Sequence, residues 1–483
     1  MNFAVIRKII GSILVVEATV MIPAFLISVF CHETDSARAF AVAIVITVAV
    51  GLFCARFHRS KASLRPREGL AAVALSWIAV SVFGCIPFRL SGAMPSWCDS
   101  FFETVSGFTT TGATILTEIE SLPKSILYWR SFTHWLGGMG VLVFVLALRS
   151  PDSDGVSGDA MHLLRAESTG PVVGKLVPRI QKTAKILYEI YIALTVLEFI
   201  LLVAGGMPLF DSITTAFSTA GTGGFAIKND SMSSYSAYCQ TVMAVFMMLF
   251  GVSFTVYYVI LLGNYRRALK NQEFLTYIGI IAVATILITI DIHGTYESLG
   301  TELRHAFFTV ASIISTTGTC TVNYDIWPQL SRSLIVAITI IGGMAGSTSG
   351  GIKVSRLLIL LKSAKRNIYK ALRPGEVRLI HMDGEIVDDD TVATVANYFI
   401  VLILMICVTT VIISLDGFTF ETNFTTAIAC ISNVGPGLGE AGPTCNYSGF
   451  SVLSKLLLSV DMLLGRLEIY PLLILFVPRA WRK

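Results

Sequence analysis

TTTGAT, residues 109–114, is the first of four short segments that decide the fold of this sequence. The other three follow at wide intervals: STAGTG at 218–223, STTGTC at 315–320 and SNVGPG at 432–437. The four align without a gap over the ten preceding positions, on one glycine each: Gly112, Gly221, Gly318 and Gly435. Because these glycines are 109, 97 and 117 residues apart, the sequence indicates a fourfold internal repeat.

Each turn follows a short segment of mixed apolar and hydroxyl residues that cannot cross a membrane. These segments lie at 98–111, 208–220, 302–317 and 421–434. Around them are ten apolar runs, each near or above the roughly 20 residues that span a hydrocarbon core. The runs are 9–30, 38–55, 70–90, 126–148, 186–206, 241–262, 274–292, 333–361, 391–415 and 451–477. The pattern predicts an all-α membrane protein in which short helices enter and leave from one face, between ten spanning helices.

The composition excludes most soluble classes of protein. Of 483 residues, 54% are hydrophobic and 14% are charged, against about 45–50% and about 25% in soluble domains. Nine cysteines without a C-x-x-C pair indicate neither a disulfide framework nor a zinc site. Walker A, H-E-x-x-H and G-x-S-x-G motifs do not occur, which argues against an ATPase, a zinc protease or a serine hydrolase. GLGEAG at 437–442 matches a nucleotide-binding pattern but lacks the strand and helix that such a site needs.

The basic residues predict which connections are cytoplasmic. Six connections hold 27 of the 36 Lys and Arg residues: 1–8, 56–68, 149–185, 263–270, 353–378 and 479–483. Lys and Arg concentrate in cytoplasmic loops, and these six alternate correctly with ten spans if the glycine turns face outward. The first apolar run reaches Phe30 without a small-residue cleavage site. We therefore interpret it as a retained helix, with both termini in the cytoplasm.

The four turns have the composition of a cation filter. A cation crossing lipid needs oxygen ligands in place of water, and an extended turn offers closely spaced carbonyls. Glycine tolerates the positive φ that keeps successive carbonyls on one side. A hydroxyl residue stands three positions before each glycine: Thr109, Ser218, Ser315 and Ser432. The expected filter residues are Thr110, Thr111, Gly112, Thr219, Ala220, Gly221, Thr316, Thr317, Gly318, Asn433, Val434 and Gly435. The carbonyls expected to bind the ion belong to Thr111, Ala220, Thr317 and Val434. The alternative is that the glycines only permit turns or close helix packing, but their fourfold repetition favours a filter.

A glycine-rich tract interrupts the eighth apolar run. Five glycines and three hydroxyls lie between Ile341 and Ile352, and glycine costs about 1 kcal/mol per interior helix position relative to alanine. Irregular backbone at membrane depth is tolerated where it is buried or lines water. We therefore expect a movable constriction, with a tightly packed kink as the alternative. The expected gate residues are Gly342, Gly343, Gly346, Ser347, Thr348, Ser349, Gly350 and Gly351.

Arg466 lies inside the last apolar run, where an unpartnered guanidinium costs several kcal/mol. It has two possible roles. On the conduction path it adds an electrostatic barrier and holds the gate through carbonyls. Alternatively, it forms a structural ion pair with Asp461 or Glu468.

Taken together, these segments resemble the TrkH/KtrB branch of the potassium transporter superfamily over essentially the whole chain. The resemblance rests on the four turns, GGMAGSTSGGIK at 342–353, LLRAESTGPVVGKLVPRIQKTAK at 163–185 and GRLEIYPLLILF at 465–476. The N-terminal hairpin favours the TrkH type. The resemblance implies a homodimer with one pore per protomer and a cytosolic ring of TrkA-type nucleotide-binding subunits. It assigns the turns to a potassium filter, residues 342–351 to the gate, and Arg466 to the constriction. The fourth turn departs from the Thr-rich pattern with Asn433, Val434 and Pro436.

The sequence therefore predicts gated, channel-like potassium uptake across the bacterial inner membrane. The alternative is a cation-coupled secondary transporter that works by alternating access, for which broken helices are also expected. We expect potassium as substrate, no covalently bound cofactor, nucleotide on the partner subunit only, contact with membrane lipid and no nucleic acid. The expected division is a two-helix hairpin followed by four pore repeats, with the gate in the third: 1–57, 58–150, 151–265, 266–375 and 376–483.

Overall fold

The computed structural model describes residues 3–56, 66–140, 180–376 and 378–481. Two of the predicted basic connections, 56–68 and 149–185, lie largely outside these residues. The end of the predicted span at 126–148 and the last two residues lie outside them as well. The described chain is mostly helical, with one antiparallel β-hairpin that pairs Ile380–Met382 with Glu385–Val387.

The helices follow the apolar runs and the short segments between them. In the first half they are Phe3–Val20, Ile22–Phe30, Thr34–Arg56, Pro66–Gly84, Ile86–Leu90, Trp97–Phe108, Lys124–Gly138, Ile180–Ala204 and Leu209–Ala220. In the second half they are Ala237–Phe250, Phe254–Leu261, Tyr265–Leu269, Gln272–Asp291, Leu299–Ile314, Gln329–Ile341, Val354–Leu372, Asp389–Ile413, Phe420–Ile431, Val452–Arg466, Tyr470–Leu473 and Pro478–Trp481. Short 3-10 turns lie at 324–326, 414–416, 439–441, 447–449 and 474–476.

Fewer helices than predicted are continuous spans. Among the described residues, six helical stretches are long and apolar enough to cross a membrane, or seven if Ala237–Phe250 and Phe254–Leu261 count as one span bent by 88°. The runs predicted at 333–361 and 451–477 are interrupted. The first stops at Ile341, because Gly342 adopts φ 71°, and the second stops at Arg466, because Glu468 and Ile469 have positive φ.

In the N-terminal unit, the first spanning stretch, Phe3–Phe30, is interrupted at Met21 between two helices, and Thr34–Arg56 is the second stretch. The connection between them is tied to the rest of the chain. The Glu33 carboxylate accepts hydrogen bonds from the backbone N–H groups of Lys124 (2.7 Å) and Ser125 (3.2 Å). These bonds satisfy two backbone donors at the start of helix Lys124–Gly138. The N-cap of this helix, Pro123, has no side-chain acceptor for them.

Four short helices occupy the positions of the short segments, and we call them core helices 1 to 4: Trp97–Phe108, Leu209–Ala220, Leu299–Ile314 and Phe420–Ile431. Three begin with a hydroxyl N-cap, as Ser96, Ser298 and Thr419 accept from the N–H group three residues ahead. Core helix 2 begins after Pro208. Most residues of their last two turns are buried, so each helix delivers the turn after it to the interior.

Candidate functional site

The four turns after the core helices share one backbone geometry. The second residue of each has positive φ although it is not glycine: Thr110 (55°), Thr222 (53°), Thr316 (60°) and Asn433 (54°). Two residues later a glycine has positive φ: Gly112 (79°), Gly224 (80°), Gly318 (79°) and Gly435 (92°). The residue between them donates its N–H to a helical carbonyl five positions earlier, at 2.9, 2.9, 2.8 and 2.9 Å. We call residues 109–112, 221–224, 315–318 and 432–435 turns 1 to 4.

The second turn has a different register from the sequence alignment. Thr219 and Ala220 are the last residues of core helix 2, and Gly221 is its C-cap with φ −69°. Gly221 therefore corresponds to Thr109, whereas Thr222, Gly223 and Gly224 occupy the positions of Thr110, Thr111 and Gly112. The expected residues Thr219, Ala220 and Gly221 are wrong for this turn by three positions. The first, third and fourth turns have the predicted register.

The four turns contact one another in a closed ring. At each contact the glycine of one turn lies so close to the neighbouring turn that a methyl group on it would overlap a backbone carbonyl oxygen. The oxygen belongs to the residue just before the neighbour's glycine. The pairs are Gly112 with Gly223, Gly224 with Thr317, Gly318 with Val434, and Gly435 with Thr111. Both positive φ and this approach therefore require glycine at the fourth position of each turn.

The two faces of the ring differ. On one face lies a cavity of about 180 Å³, lined by Gly112, Gly224, Gly318, Gly435 and by residues that follow the turns. The core helices end at the ring, and the C-terminal end of a helix carries roughly half a negative charge. Four such ends, together with the four carbonyls at the contacts between turns, make the ring suited to a desolvated cation.

A buried ion pair connects the first two turns. Glu103 and Arg130 are 0% and 2% exposed, and their Oε1 and Nε atoms are 2.7 Å apart. Glu103 also accepts from the Thr114 hydroxyl (2.8 Å) and the Ile115 N–H (2.9 Å), just after turn 1. Arg130 donates to the carbonyl of Ala226 (2.7 Å), just after turn 2. Sequence reasoning missed this pair, because its members belong to different helices.

Three further side chains make hydrogen bonds to the turns or to the residues beside them. The His134 Nε2 atom accepts the Phe225 N–H (3.2 Å), so its Nδ1 carries the proton and donates to the Gly107 carbonyl (2.7 Å). Tyr447 donates its hydroxyl to the Gly435 carbonyl at 2.6 Å. The amide of Asn433 donates to the Thr111 hydroxyl (3.0 Å) and the Met462 carbonyl (2.8 Å), which gives the departure in the fourth turn a structural role.

On the other face of the ring lies the glycine loop, which we define as residues 342–353. Gly350 donates its N–H to the Thr316 hydroxyl at 2.7 Å, and a methyl group on Gly350 would overlap the Ser432 carbonyl. The loop also hydrogen-bonds to the break in the bent helix pair. The N–H groups of Met344 and Phe254 donate to the carbonyls of Gly251 and Gly346, both at 3.0 Å. The loop is therefore irregular but held in one place.

Arg466 joins the glycine loop to the ring. Its guanidinium donates to the Thr348 carbonyl (2.7 Å), the Thr110 hydroxyl (3.3 Å) and the carbonyls of Gly137 (2.5 Å) and Gly138 (2.6 Å). Neither of the two carboxylates expected as its alternative partners is among these acceptors. Glu468 pairs with Arg356, and the buried carboxylate of Asp461 accepts no hydrogen bond within the described residues. Arg466 therefore connects the glycine loop to turn 1 through carbonyl and hydroxyl acceptors.

Comparison with known proteins gives matches over the full length. A family model described as TrkH, cation transport protein, matches residues 35–296 and 294–483. The Trk system potassium uptake protein TrkH of Salmonella typhimurium is 34% identical over 490 residues, covering 100% of both chains. The protein of the same name from Halomonas elongata is 35% identical, again over 100% of both. The crystal structure of the potassium transporter TrkH from Vibrio parahaemolyticus matches with a TM-score of 0.89 and 30% identity, covering 100% of both chains.

Proposed function

Because the chain belongs to the TrkH family of cation transport proteins, we propose that it mediates potassium uptake across the bacterial cytoplasmic membrane through a gated pore. Its relatives from Salmonella typhimurium and Halomonas elongata are named as potassium uptake proteins of the Trk system. Family membership makes the chain a membrane transporter and not an enzyme. The pore, its filter and its gate are our proposal for how the transport occurs.

The single observation that carries the proposal is the closed ring of four turns. Each turn places a carbonyl against the glycine of its neighbour, at the C-terminal ends of four core helices. A cation entering this ring exchanges water for carbonyl oxygens and is stabilised by the helix ends. The proposed potassium ligands are the carbonyls of Thr111, Gly223, Thr317 and Val434.

The glycine loop is the proposed gate. It lies against the face of the ring opposite the cavity, where it contacts Thr316 and Ser432. Arg466 adds a positive charge there and holds the loop through the Thr348 carbonyl. For ions to pass, the loop must leave this position, and the hydrogen bonds that hold it set the free-energy difference between closed and open pore.

We infer four pore repeats, each carrying one turn, with the predicted boundaries 58–150, 151–265, 266–375 and 376–483 after the N-terminal unit. Both termini are proposed to lie in the cytoplasm. The stacked rings of Phe3 and Trp481, with centroids 5.9 Å apart, support their position on the same face. The basic connections assign that face to the cytoplasm.

The proposed partners are a second copy of the chain and a cytosolic nucleotide-binding regulatory ring. The Trk system named for the relatives implies a regulatory subunit. Helix Val354–Leu372 follows the glycine loop directly and exposes basic residues, among them Lys365 and Lys370. A subunit that binds this helix acts on the segment adjoining the gate.

Purified protein in proteoliposomes tests the proposal. A voltage is imposed without a proton or sodium gradient, and potassium and sodium fluxes are compared. Potassium flux that follows the voltage, with much less sodium flux, supports a selective pore. Flux that requires a second ion gradient supports the coupled secondary transporter and overturns the pore.

A further inference from the structure

Glu273 lies at the second position of helix Gln272–Asp291 and is 8% exposed. Its Oε1 atom accepts two hydrogen bonds from the backbone of another part of the chain. The donors are the N–H groups of Ala345 (2.7 Å) and Ser355 (3.0 Å). Ala345 is in the first half of the glycine loop, and Ser355 is just beyond its end. One carboxylate oxygen therefore holds both arms of the loop together.

The same oxygen adds to the hydrogen bonds that hold the two ends of the loop together. Where the two ends of the loop meet, the Val354 N–H donates to the Gly343 carbonyl at 3.0 Å, and the Lys353 N–H donates to the Ile341 carbonyl at 2.9 Å. The Lys353 ammonium group also donates to the Ser349 carbonyl. These contacts join the loop to itself or to its flanking residues, whereas Glu273 fastens it to a separate helix.

The helix that carries Glu273 is itself hydrogen-bonded to the cytoplasmic hairpin Ile380–Val387. Asp383, in the turn of this hairpin, accepts from the Gln272 N–H and from the Asn271 amide, both at 2.7 Å. It therefore caps the helix that carries Glu273, one residue away. Lys362 on helix Val354–Leu372 donates to the His381 carbonyl at 2.7 Å. The hairpin is thus connected to both the Glu273 helix and the helix after the loop.

We propose that Glu273 is a positioning residue that keeps the glycine loop closed, and that Asp383 fixes Glu273 from the cytoplasmic side. The inference rests on the proposed function of the loop as a gate. It requires that opening break the two hydrogen bonds to Oε1. A hydrogen bond to a charged group contributes about 1.5–3 kcal/mol, and 1.4 kcal/mol is a factor of ten in an equilibrium. Loss of Glu273 should therefore raise the open fraction, and with it basal flux, at least about tenfold.

Three substitutions separate this role from an ordinary favourable charge at a helix start. Glu273→Gln keeps an oxygen at the same reach but replaces two charge-assisted hydrogen bonds with neutral ones of about half the strength, so it should raise basal flux clearly less than Glu273→Ala does. Glu273→Asp retracts the acceptor by about 1.5 Å, beyond hydrogen-bond distance, and should raise flux as Glu273→Ala does. A charge that only stabilises the helix predicts the opposite order, because Asp keeps that charge and Gln loses it.

The test measures potassium flux in proteoliposomes, the potassium-to-sodium preference and the melting temperature in detergent. Glu385→Ala, an exposed carboxylate on the same hairpin, is the matched control, and Asp383→Ala should raise flux in the same direction as Glu273→Ala. Raised flux in the Ala and Asp variants, with a smaller rise in the Gln variant and ion preference unchanged, supports the proposal. Raised flux in Gln but not in Asp overturns it. If the Ala variant does not fold, the Gln and Asp pair decides.

A variant with residues deleted within 343–350 distinguishes this inference from the gate on which it rests. If the shortened loop raises flux but Glu273→Ala and Glu273→Asp do not, the loop is a gate and Glu273 does not hold it. If the shortened loop folds and conducts like the parent, the gate itself is wrong.

Discussion

Replacing Arg466 with alanine disturbs the contact between the glycine loop and the ring at a single side chain. The guanidinium donates to Thr348 in the loop, to Thr110 in turn 1 and to the carbonyls of Gly137 and Gly138. The substitution removes the bond to the loop and the positive charge beside the ring. We expect a folded protein that conducts potassium faster.

Both losses should raise potassium flux, and the free energy of each can be calculated to an order of magnitude. The charged hydrogen bond at 2.7 Å to Thr348 contributes about 1.5–3 kcal/mol to the closed position of the loop. Two positive charges about 8 Å apart repel by about 2 kcal/mol at an effective dielectric constant of 20. Since 1.36 kcal/mol is a factor of ten in rate, either effect alone predicts at least about a tenfold rise in flux.

Stability should change less than the loss of a buried ion pair would imply. Breaking such a pair costs about 3–5 kcal/mol, because it leaves a buried charge unpaired. Here Glu468 keeps Arg356 as its partner, and Asp461 accepts no hydrogen bond from Arg466. Arg466 is itself partly exposed, so water can reach the carbonyls that it leaves.

The assay is potassium uptake normalised to protein in the membrane, beside the melting temperature in detergent. Arg466→Lys is the informative companion, because it keeps the charge and loses the planar fork of donors. Its flux should lie between those of the parent and Arg466→Ala. A stable Arg466→Ala protein with unchanged or slower uptake refutes the barrier. A sharply destabilised protein moves the assignment to a structural role.

Four further expectations concern other parts of the site. Shortening the loop within 343–350 should raise basal flux at least several-fold without changing ion preference; equal flux in a folded variant makes the loop a packing element. Charge reversal at Lys365 should weaken capture of the cytosolic subunit, and capture at parental strength favours contact with anionic lipid. Tyr447→Phe removes one hydrogen bond to the Gly435 carbonyl and should cost about 1 kcal/mol, seen as a lower melting temperature. Glu103→Ala leaves the Arg130 guanidinium buried and unpaired, so it should cost about 3–5 kcal/mol and reduce expression; an unchanged melting temperature contradicts that account.

The sequence predicted the helical class and the positions of the core helices, because apolar run length and glycine turns are local signals. The register of turn 2 was not predictable by matching glycines, since three glycines lie within 221–224. The helix lengths in the structure account for it. Core helices 1, 2 and 4 are each 12 residues long, so Gly221 falls at the position of Thr109.

The features of the site that the sequence did not predict depend on contacts between distant parts of the chain. The role of Arg466 was open because its acceptors are more than a hundred residues away in sequence, at Thr348 and Gly137. Glu273 gave no sequence signal, since an acidic residue in a first helical turn is ordinary. Its importance emerges only when the loop folds back onto it. Local patterns thus located the ring and the loop, whereas the connections between them required the structure.

The most direct test of the ring is the ion preference of Gly224→Ser. Reversal potentials are measured with purified protein under opposing potassium and sodium gradients. Gly206→Ser is the matched control, because Gly206 also has positive φ (84°) but has open space around it, whereas Gly224 lies against the Thr317 carbonyl. We predict that the parent and Gly206→Ser prefer potassium and that Gly224→Ser, folded and inserted, loses this preference. Parental selectivity in a folded Gly224→Ser protein would contradict the four-turn filter.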